Sequence, residues 1–145
     1  MEYHKAKTLP EAVALNAAYT DMPVLAGGTD LIVQWRSGVI SPRGFVDVSS
    51  VPEMKVIAEA EGFIEIGAAA THSMIAKNAL VQKGIPMLAE ACSSIGATQI
   101  QNRGTIGGNI MNASPAGDTL PVLLVCDAEF KLQDIKGERW VAARA

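Results

Sequence analysis

Side chains that could hold a metal are scarce in this chain. Its 145 residues include two cysteines, Cys92 and Cys126, and two histidines, His4 and His72, and the four are scattered along the sequence. A closed zinc site or an iron–sulfur cluster draws on about four thiolate or imidazole ligands, so no metal centre is expected here. Both cysteines stand among apolar neighbours (Ala89-Glu90-Ala91-Cys92 and Leu124-Val125-Cys126) and are expected to be small buried hydrophobes in a reducing compartment. Excess positive charge is also lacking: 12 Lys+Arg face 15 Asp+Glu, a net charge of −3, with no basic cluster. That excludes the electrostatic footprint of a nucleic-acid binder. No apolar run approaches the roughly 20 residues of a membrane span, and Met1-Glu2-Tyr3-His4-Lys5 has none of the apolar character of a secretory leader. A soluble cytoplasmic protein is the expectation.

What the chain does have is a 49% hydrophobic composition with 13 glycines, enough for one domain, or two small lobes, around a real core. Thr8-Leu9-Pro10-Glu11 reads as a helix start, with Thr8 as cap and Glu11 as its capping-box partner, running to about Tyr19. Val24-Leu25-Ala26 is a short buried strand that feeds a tight loop at Gly27-Gly28, and Asp30 to Arg36 forms a short helix closed by Gly38. Phe45 to Val48 is another strand, and residues 56–59 and 63–66 flank Glu61-Gly62 as a hairpin. Helices follow at Thr71 to Asn78, at Pro86 to Ser94 and from Asp118 or Thr119 through Leu124. Glu129 to Gln133 and Arg139 to Ala142 form a last hairpin around Lys136-Gly137. Strands and helices alternate between hairpins, which predicts an α+β or mixed α/β fold. Trp35 and Trp140 read as packing residues. An edge strand carrying Trp140 normally packs against something beyond it, so the chain is expected to be cut short or completed by another polypeptide.

The informative stretch is Asn102-Arg103-Gly104-Thr105-Ile106-Gly107-Gly108-Asn109, followed by Asn112-Ala113-Ser114-Pro115-Ala116-Gly117-Asp118. Five of the 13 glycines lie between Gly96 and Gly117. Glycines at that density let the backbone bend and bring bare amides close to a ligand, and consecutive amides in such turns make a concave anion site. Thr105, Asn109, Asn112 and Ser114 add neutral donors, and Asp118 is placed to accept from a sugar hydroxyl. Ala26-Gly27-Gly28-Thr29-Asp30 is a second loop of this kind, between a strand and a helix start that also favours negative charge. Brought together, the two loops would grip a pyrophosphate from both sides. Gly27-Gly28 alone also suits a plain strand–helix corner. His72 reads as a structural residue beside a cap, and Arg103 either binds a phosphate or pins its loop. The Rossmann and P-loop spacings are absent, as are a nucleophile elbow and a placed Cys-His pair. The residues by themselves therefore stop at a phosphorylated, nucleotide-like ligand held by two glycine loops.

Ala26 to Leu31, Arg103 to Asn109, Ala113 to Asp118 and Leu120-Pro121 together resemble the FAD-binding subunit of molybdenum hydroxylases. That is the family of the xanthine dehydrogenase FAD-binding subunit and the carbon monoxide dehydrogenase medium subunit. The resemblance runs from Tyr3-His4 to the hairpin near Trp140. It implies an α+β, two-lobed FAD-binding domain of the vanillyl-alcohol oxidase (PCMH) type. Residues 1–52 would form an N-terminal lobe and 53–145 a second lobe, incomplete at its C-terminus, with FAD between them. It also implies that Ala26, Gly27, Gly28, Thr29, Asp30 and Leu31 embrace the FAD pyrophosphate. Thr105, Ile106, Gly107, Gly108 and Asn109 would form the opposite wall, with Ser114 as a further polar contact and Asp118 nearer the sugar-derived part of the cofactor.

The implied role is electron transfer in a molybdenum-containing dehydrogenase. A molybdopterin subunit oxidises substrate, a 2Fe-2S subunit relays electrons, and FAD passes them to NAD+ or another acceptor. The molybdenum and iron–sulfur centres would sit only in partner subunits, and no side chain of this chain would act as a catalytic acid, base or nucleophile. The two-cysteine count speaks against the branch of the family that carries a cysteine-rich insertion. Members of the family are longer than this chain. Two alternatives stand beside this reading: a separate flavin oxidoreductase of the same fold, which would need a substrate domain that this length does not supply, or a non-catalytic truncated remnant that does not hold FAD alone.

Overall fold

Three parallel strands organise the first third of the chain. In this computed structural model, which describes residues 1–144, they are β1 (Glu2–Lys5), β2 (Val24–Leu25) and β3 (Gly44–Asp47), in the order β1-β3-β2. Parallel neighbours need a crossover, and two helices supply it: α1 (Leu9–Ala18) between β1 and β2, and α2 (Leu31–Arg36) between β2 and β3. Thr8 caps α1 as expected, its hydroxyl accepting from the Glu11 amide at 3.3 Å. The Glu11 carboxylate reaches the Lys7 amide at 2.8 Å, one residue earlier than a capping box would place it. The central strand β3 is buried along its whole length. Ala6, Ala12, Met22, Val46, Val48 and Val51 form the core under this sheet, with Leu9, Leu15, Tyr19, Ala26 and Met54 packed on it. Trp35 stands edge-on to buried Phe45, with ring centroids 5.7 Å apart, a packing role as expected.

A second core gathers Ala70, Ile75, Val81, Leu88, Ala89, Cys92 and Ile106. Above it lies the hairpin of β4 (Ile57–Ala60) and β5 (Phe63–Ile66), which contributes Ile57, Ile64 and Ile66. Its turn is the expected Glu61-Gly62, both residues at positive φ, the twist that suits a two-residue hairpin loop. Beneath are α3 (His72–Lys77), α4 (Ala79–Gly84) and α5 (Pro86–Ser94), then α6 (Thr98–Gln101), α7 (Ile106–Asn112) and α8 (Thr119–Val125). The last hairpin, β6 (Glu129–Asp134) with β7 (Gly137–Ala142), turns at Ile135-Lys136, because Asp134 pairs with Gly137. The α+β class holds, as one small parallel sheet, two hairpins and a set of short helices. Among the described residues, no helix is long and apolar enough to cross a membrane.

Several local expectations are corrected. The glycine-rich stretch is not an open loop: it carries α6 and α7, with Gly107 and Gly108 inside the latter. Thr105 makes this possible, because its hydroxyl caps the helix at the Gly108 amide (3.1 Å) and offsets part of the cost of two helical glycines. Cys92 is buried, and burial pushes its thiol up to about 12, but Cys126 is exposed at the end of α8. Trp140 is half exposed on β7, the edge strand expected to pack against something beyond it, with the Lys131 ammonium 5.8 Å from its ring centre. β1, α4 and α6 were not expected; each is six residues or shorter, too brief for a hydrophobic period to register.

Candidate functional site

The first glycine corner sits at the carboxyl end of β2, the side of a parallel sheet where open α/β folds receive ligands. Gly28 turns the chain there at φ +75°, a conformation side chains rarely adopt, and its pro-Cβ position is closed by Ile32 and Leu25 side chains at 3.1 Å. Among the described residues, the amides of Gly27, Gly28, Thr29, Asp30 and Leu31 donate no backbone hydrogen bond. These groups are half-buried or exposed. Five successive uncommitted amides in one corner are a set of donors awaiting acceptors, since backbone N–H groups seldom stay unpaired without water or a ligand.

The second corner behaves differently. Its amides are already engaged by the segment ahead of α3: Ile106 donates to the Ala70 carbonyl (3.1 Å), Gly107 to the Ala68 carbonyl (2.9 Å) and Gly108 to the Thr105 hydroxyl. In return the His72 amide donates to the Gly104 carbonyl at 3.0 Å, so Thr71 and Thr105 face each other as an antiparallel bridge. The Ser73 hydroxyl adds a hydrogen bond to Asn102 at 2.6 Å. The open anion nest expected of this corner is therefore replaced by a backbone zipper, and what it presents outward is the exposed surface of α7 at Gly108.

The two corners do meet, as expected. A Cβ on Gly27 would lie 2.0 Å from the Arg103 carbonyl oxygen and 3.0 Å from the Gly104 Cα, so glycine is the residue this approach admits. Nearby, the Asn112 side-chain amide donates to the Asp30 carboxylate at 2.8 Å. Asn109 lies behind the corner, its side-chain oxygen accepting at 2.5 Å from the wholly buried Thr119 hydroxyl, which fixes α7 to α8. Ala26 belongs to the first core, Ile106 to the second, and Leu31 and Thr29 are partly exposed. Ser114 folds on itself, its hydroxyl accepting from the Ala116 amide at 3.3 Å. Asp118 is exposed at the start of α8 and makes no cap bond. Sequence reasoning missed the Ala68 and Ala70 carbonyls and Thr119. The run Gly67-Ala68-Ala69-Ala70 was the available signal, since small residues in series allow a second backbone to come close.

At the same end of the sheet, Asp47 is a buried carboxylate. Burial works to raise its pKa, yet the Tyr3 hydroxyl and the Ser49 amide, the latter at 2.7 Å, donate to it and hold it below the ordinary carboxylate value. His72 lies under the second corner, its ring against Gly104, 2% exposed, with Nδ1 lacking any hydrogen-bond partner among the described residues. Burial lowers its pKa from 6.5, so the folded state holds the ring neutral while the unfolded chain protonates it more readily. Its contribution to stability is therefore complete above pH 6.5 and is lost as pH falls through the lowered folded value. Between about pH 7 and pH 5 the thermal midpoint of the wild type is expected to fall more than that of His72→Leu. Parallel slopes in a calorimetric pH series would show that His72 is not the group responsible. Among the described residues, no cluster of three or more His, Cys, Asp or Glu is arranged to hold a metal ion.

Comparison with known proteins places this geometry. Residues 1–145 match the family described as the FAD binding domain in molybdopterin dehydrogenase. The chain is 35% identical to the nicotinate dehydrogenase FAD-subunit of Eubacterium barkeri, over 95% of this chain and 47% of that one. It is 36% identical to the xanthine dehydrogenase FAD-binding subunit of Escherichia coli O157:H7, over 96% of this chain and 48% of that one. Among solved structures, a chain of carbon monoxide dehydrogenase from Hydrogenophaga pseudoflava superposes with a TM-score of 0.95 at 34% identity, covering 99% of this chain and 50% of the other. The chain thus spans about half the length of the curated relatives it matches. Sequence and fold agree along the whole of these residues, and the chain belongs to the FAD-binding domain family of the molybdopterin dehydrogenases.

Proposed function

We propose that the two glycine corners hold the diphosphate of FAD, and that the chain serves as the flavin-bearing part of a molybdenum-containing, xanthine dehydrogenase-like oxidoreductase. The observation that carries this reading is the row of uncommitted amides from Gly27 to Leu31, backed by the close approach of Gly27 to Arg103. Those donors suit diphosphate oxygens, and the neighbouring carboxylate Asp30 is already occupied by Asn112 rather than directed into the corner. The exposed face of α7 at Gly108 would form the opposite wall, with Thr105 and Asn109 fixing its position from behind. Ser114 and Asp118 lie further along, where the sugar-derived part of the cofactor would extend.

FAD bound there would exchange single electrons with one partner and electron pairs with another. The chain's own residues bind and orient it; none is required as an acid, a base or a nucleophile. Electrons would arrive from iron–sulfur clusters in one partner subunit, fed by a molybdopterin subunit, and leave to NAD+ or another acceptor, in the cytoplasm. The two separate cores support a division into lobes at about residue 52, with the cofactor between them. The reading is tested by titrating the purified chain with FAD and with FMN and following the visible flavin band through gel filtration. Saturable retention of FAD at one per chain, with FMN binding far more weakly, is expected because FMN lacks the diphosphate. Equal retention of the two, or of neither, would overturn it.

A further inference from the structure

We infer that the side chains of Asp30 and Asn112 form a latch that sets the spacing of the two glycine corners, positioning the corners rather than touching the cofactor themselves. This rests on the flavin reading above and deepens it. Asp30 stands at the capping position of α2, and aspartate is among the residues best suited to cap a helix, yet its side chain makes no cap bond. Its carboxylate crosses instead to the Asn112 amide at 2.8 Å, a partner 82 residues further along the chain. Among the described residues this is the one side-chain hydrogen bond that joins the first corner to the second.

Asn112 is placed for the task by its own local structure. It ends α7, and Ala113 beyond it takes a left-handed conformation at φ +48°, so the chain turns away once the side chain has been delivered. The close approach of Gly27 to Arg103 fixes one point between the corners, and the Asp30–Asn112 pair fixes a second. Two points set both a separation and an angle, where one would leave a pivot. The bond also determines what the first corner offers. A carboxylate accepting from Asn112 is engaged away from the uncommitted amides of its own loop, and a loose one would compete with an incoming anion for them.

The test is a double-mutant cycle with a swap, using the whole chain: Asp30→Ala, Asn112→Ala, both together, and Asp30→Asn with Asn112→Asp, which reverses donor and acceptor. Each single change is expected to weaken FAD binding on the order of tenfold. The double is expected to be no weaker than either single, and the swap to return within about threefold of the wild type. Thermal midpoints without FAD should follow the same non-additive order, with shifts of no more than about 3 °C, because the pair is exposed. Single effects that multiply to about a hundredfold in the double, a swap as weak as the double, or tighter binding by Asp30→Ala would each overturn the latch. Failure of the wild type to bind FAD would overturn the flavin reading and the positioning role with it. The midpoints without FAD keep the two failures apart, because they report coupling between the side chains whether or not flavin binds.

Discussion

Gly27→Ala is expected to abolish retention of FAD and to lower the thermal midpoint of the chain. The added methyl would stand 2.0 Å from the Arg103 carbonyl oxygen and 2.7 Å from its carbon, inside the contact distance of any real pair. The oxygen has little room to yield. The amides of Arg103 and Gly104 both donate to the Ile100 carbonyl, at 3.0 and 2.6 Å, and the Gly104 carbonyl is in turn held by the His72 amide. The clash is therefore relieved by parting the two corners rather than by a local adjustment. Overpacking of this kind costs about 1–3 kcal/mol, on the order of 3–10 °C in midpoint for a chain of this size. The loss of flavin is expected to exceed what that destabilisation explains, because the movement opens the place where the diphosphate would be held. Calorimetry beside a FAD titration separates the two effects. A Gly27→Ala chain that binds FAD like the wild type would show that the corners need not touch for the cofactor to be held.

The parts of this fold that could be read in advance are those in which one residue type has one local use. Thr8, Thr71 and Gly38 mark helix ends as their chemistry requires, and Glu61-Gly62 marks a hairpin turn; all are found where the pattern places them. The motif from Arg103 to Asn109 pointed to the corner that meets Gly27, but its glycines do not lie in a loop. Glycine density predicts a bending loop with bare amides, yet Gly107 and Gly108 are helical despite a cost of about 1 kcal/mol each relative to alanine. What the sequence did not display is the segment that makes glycine necessary there. The Ala68 and Ala70 carbonyls come close enough to bond the amides of Gly107 and Ile106, a contact across almost forty residues that no local pattern encodes. Asn112 was legible as a polar donor, but its partner Asp30 lies on the other corner, and only the folded chain brings them together. Cys126 departs from its expected burial for the opposite reason: apolar neighbours in sequence are not neighbours in space, and it lies beside the exposed last hairpin.

Gly107→Val and Gly108→Val should separate scaffold from cofactor wall, although the two residues are adjacent in the same helix. A Cβ on Gly107 would meet the Ala68 carbonyl oxygen at 2.7 Å and the Ala68 Cβ at 2.8 Å, so the zipper between residues 68–72 and 104–107 must open to admit it. Buried Ile106 and Thr105 belong to the same strip of chain. A loss of about 3 kcal/mol is expected, a large share of the 5–15 kcal/mol typical of a folded domain, and flavin binding should fall together with the thermal midpoint. Gly108 is exposed, and a Cβ there meets only the Thr105 hydroxyl, at 3.0 Å. The small adjustment this requires is offset by replacing a helical glycine, so the midpoint should stay within about 3 °C of the wild type. If the cofactor lies along this face, the valine occupies its place, and FAD binding should fall at least tenfold, or about 1.4 kcal/mol, with the fold intact. A Gly108→Val chain that folds and binds FAD normally would move the cofactor off α7 and leave the first corner to hold it alone. Loss of binding without loss of stability at Gly108, beside loss of both at Gly107, would mean that one motif serves two separate physical needs. One glycine would let the backbone zipper close, and the next would keep its outer face clear for the ligand.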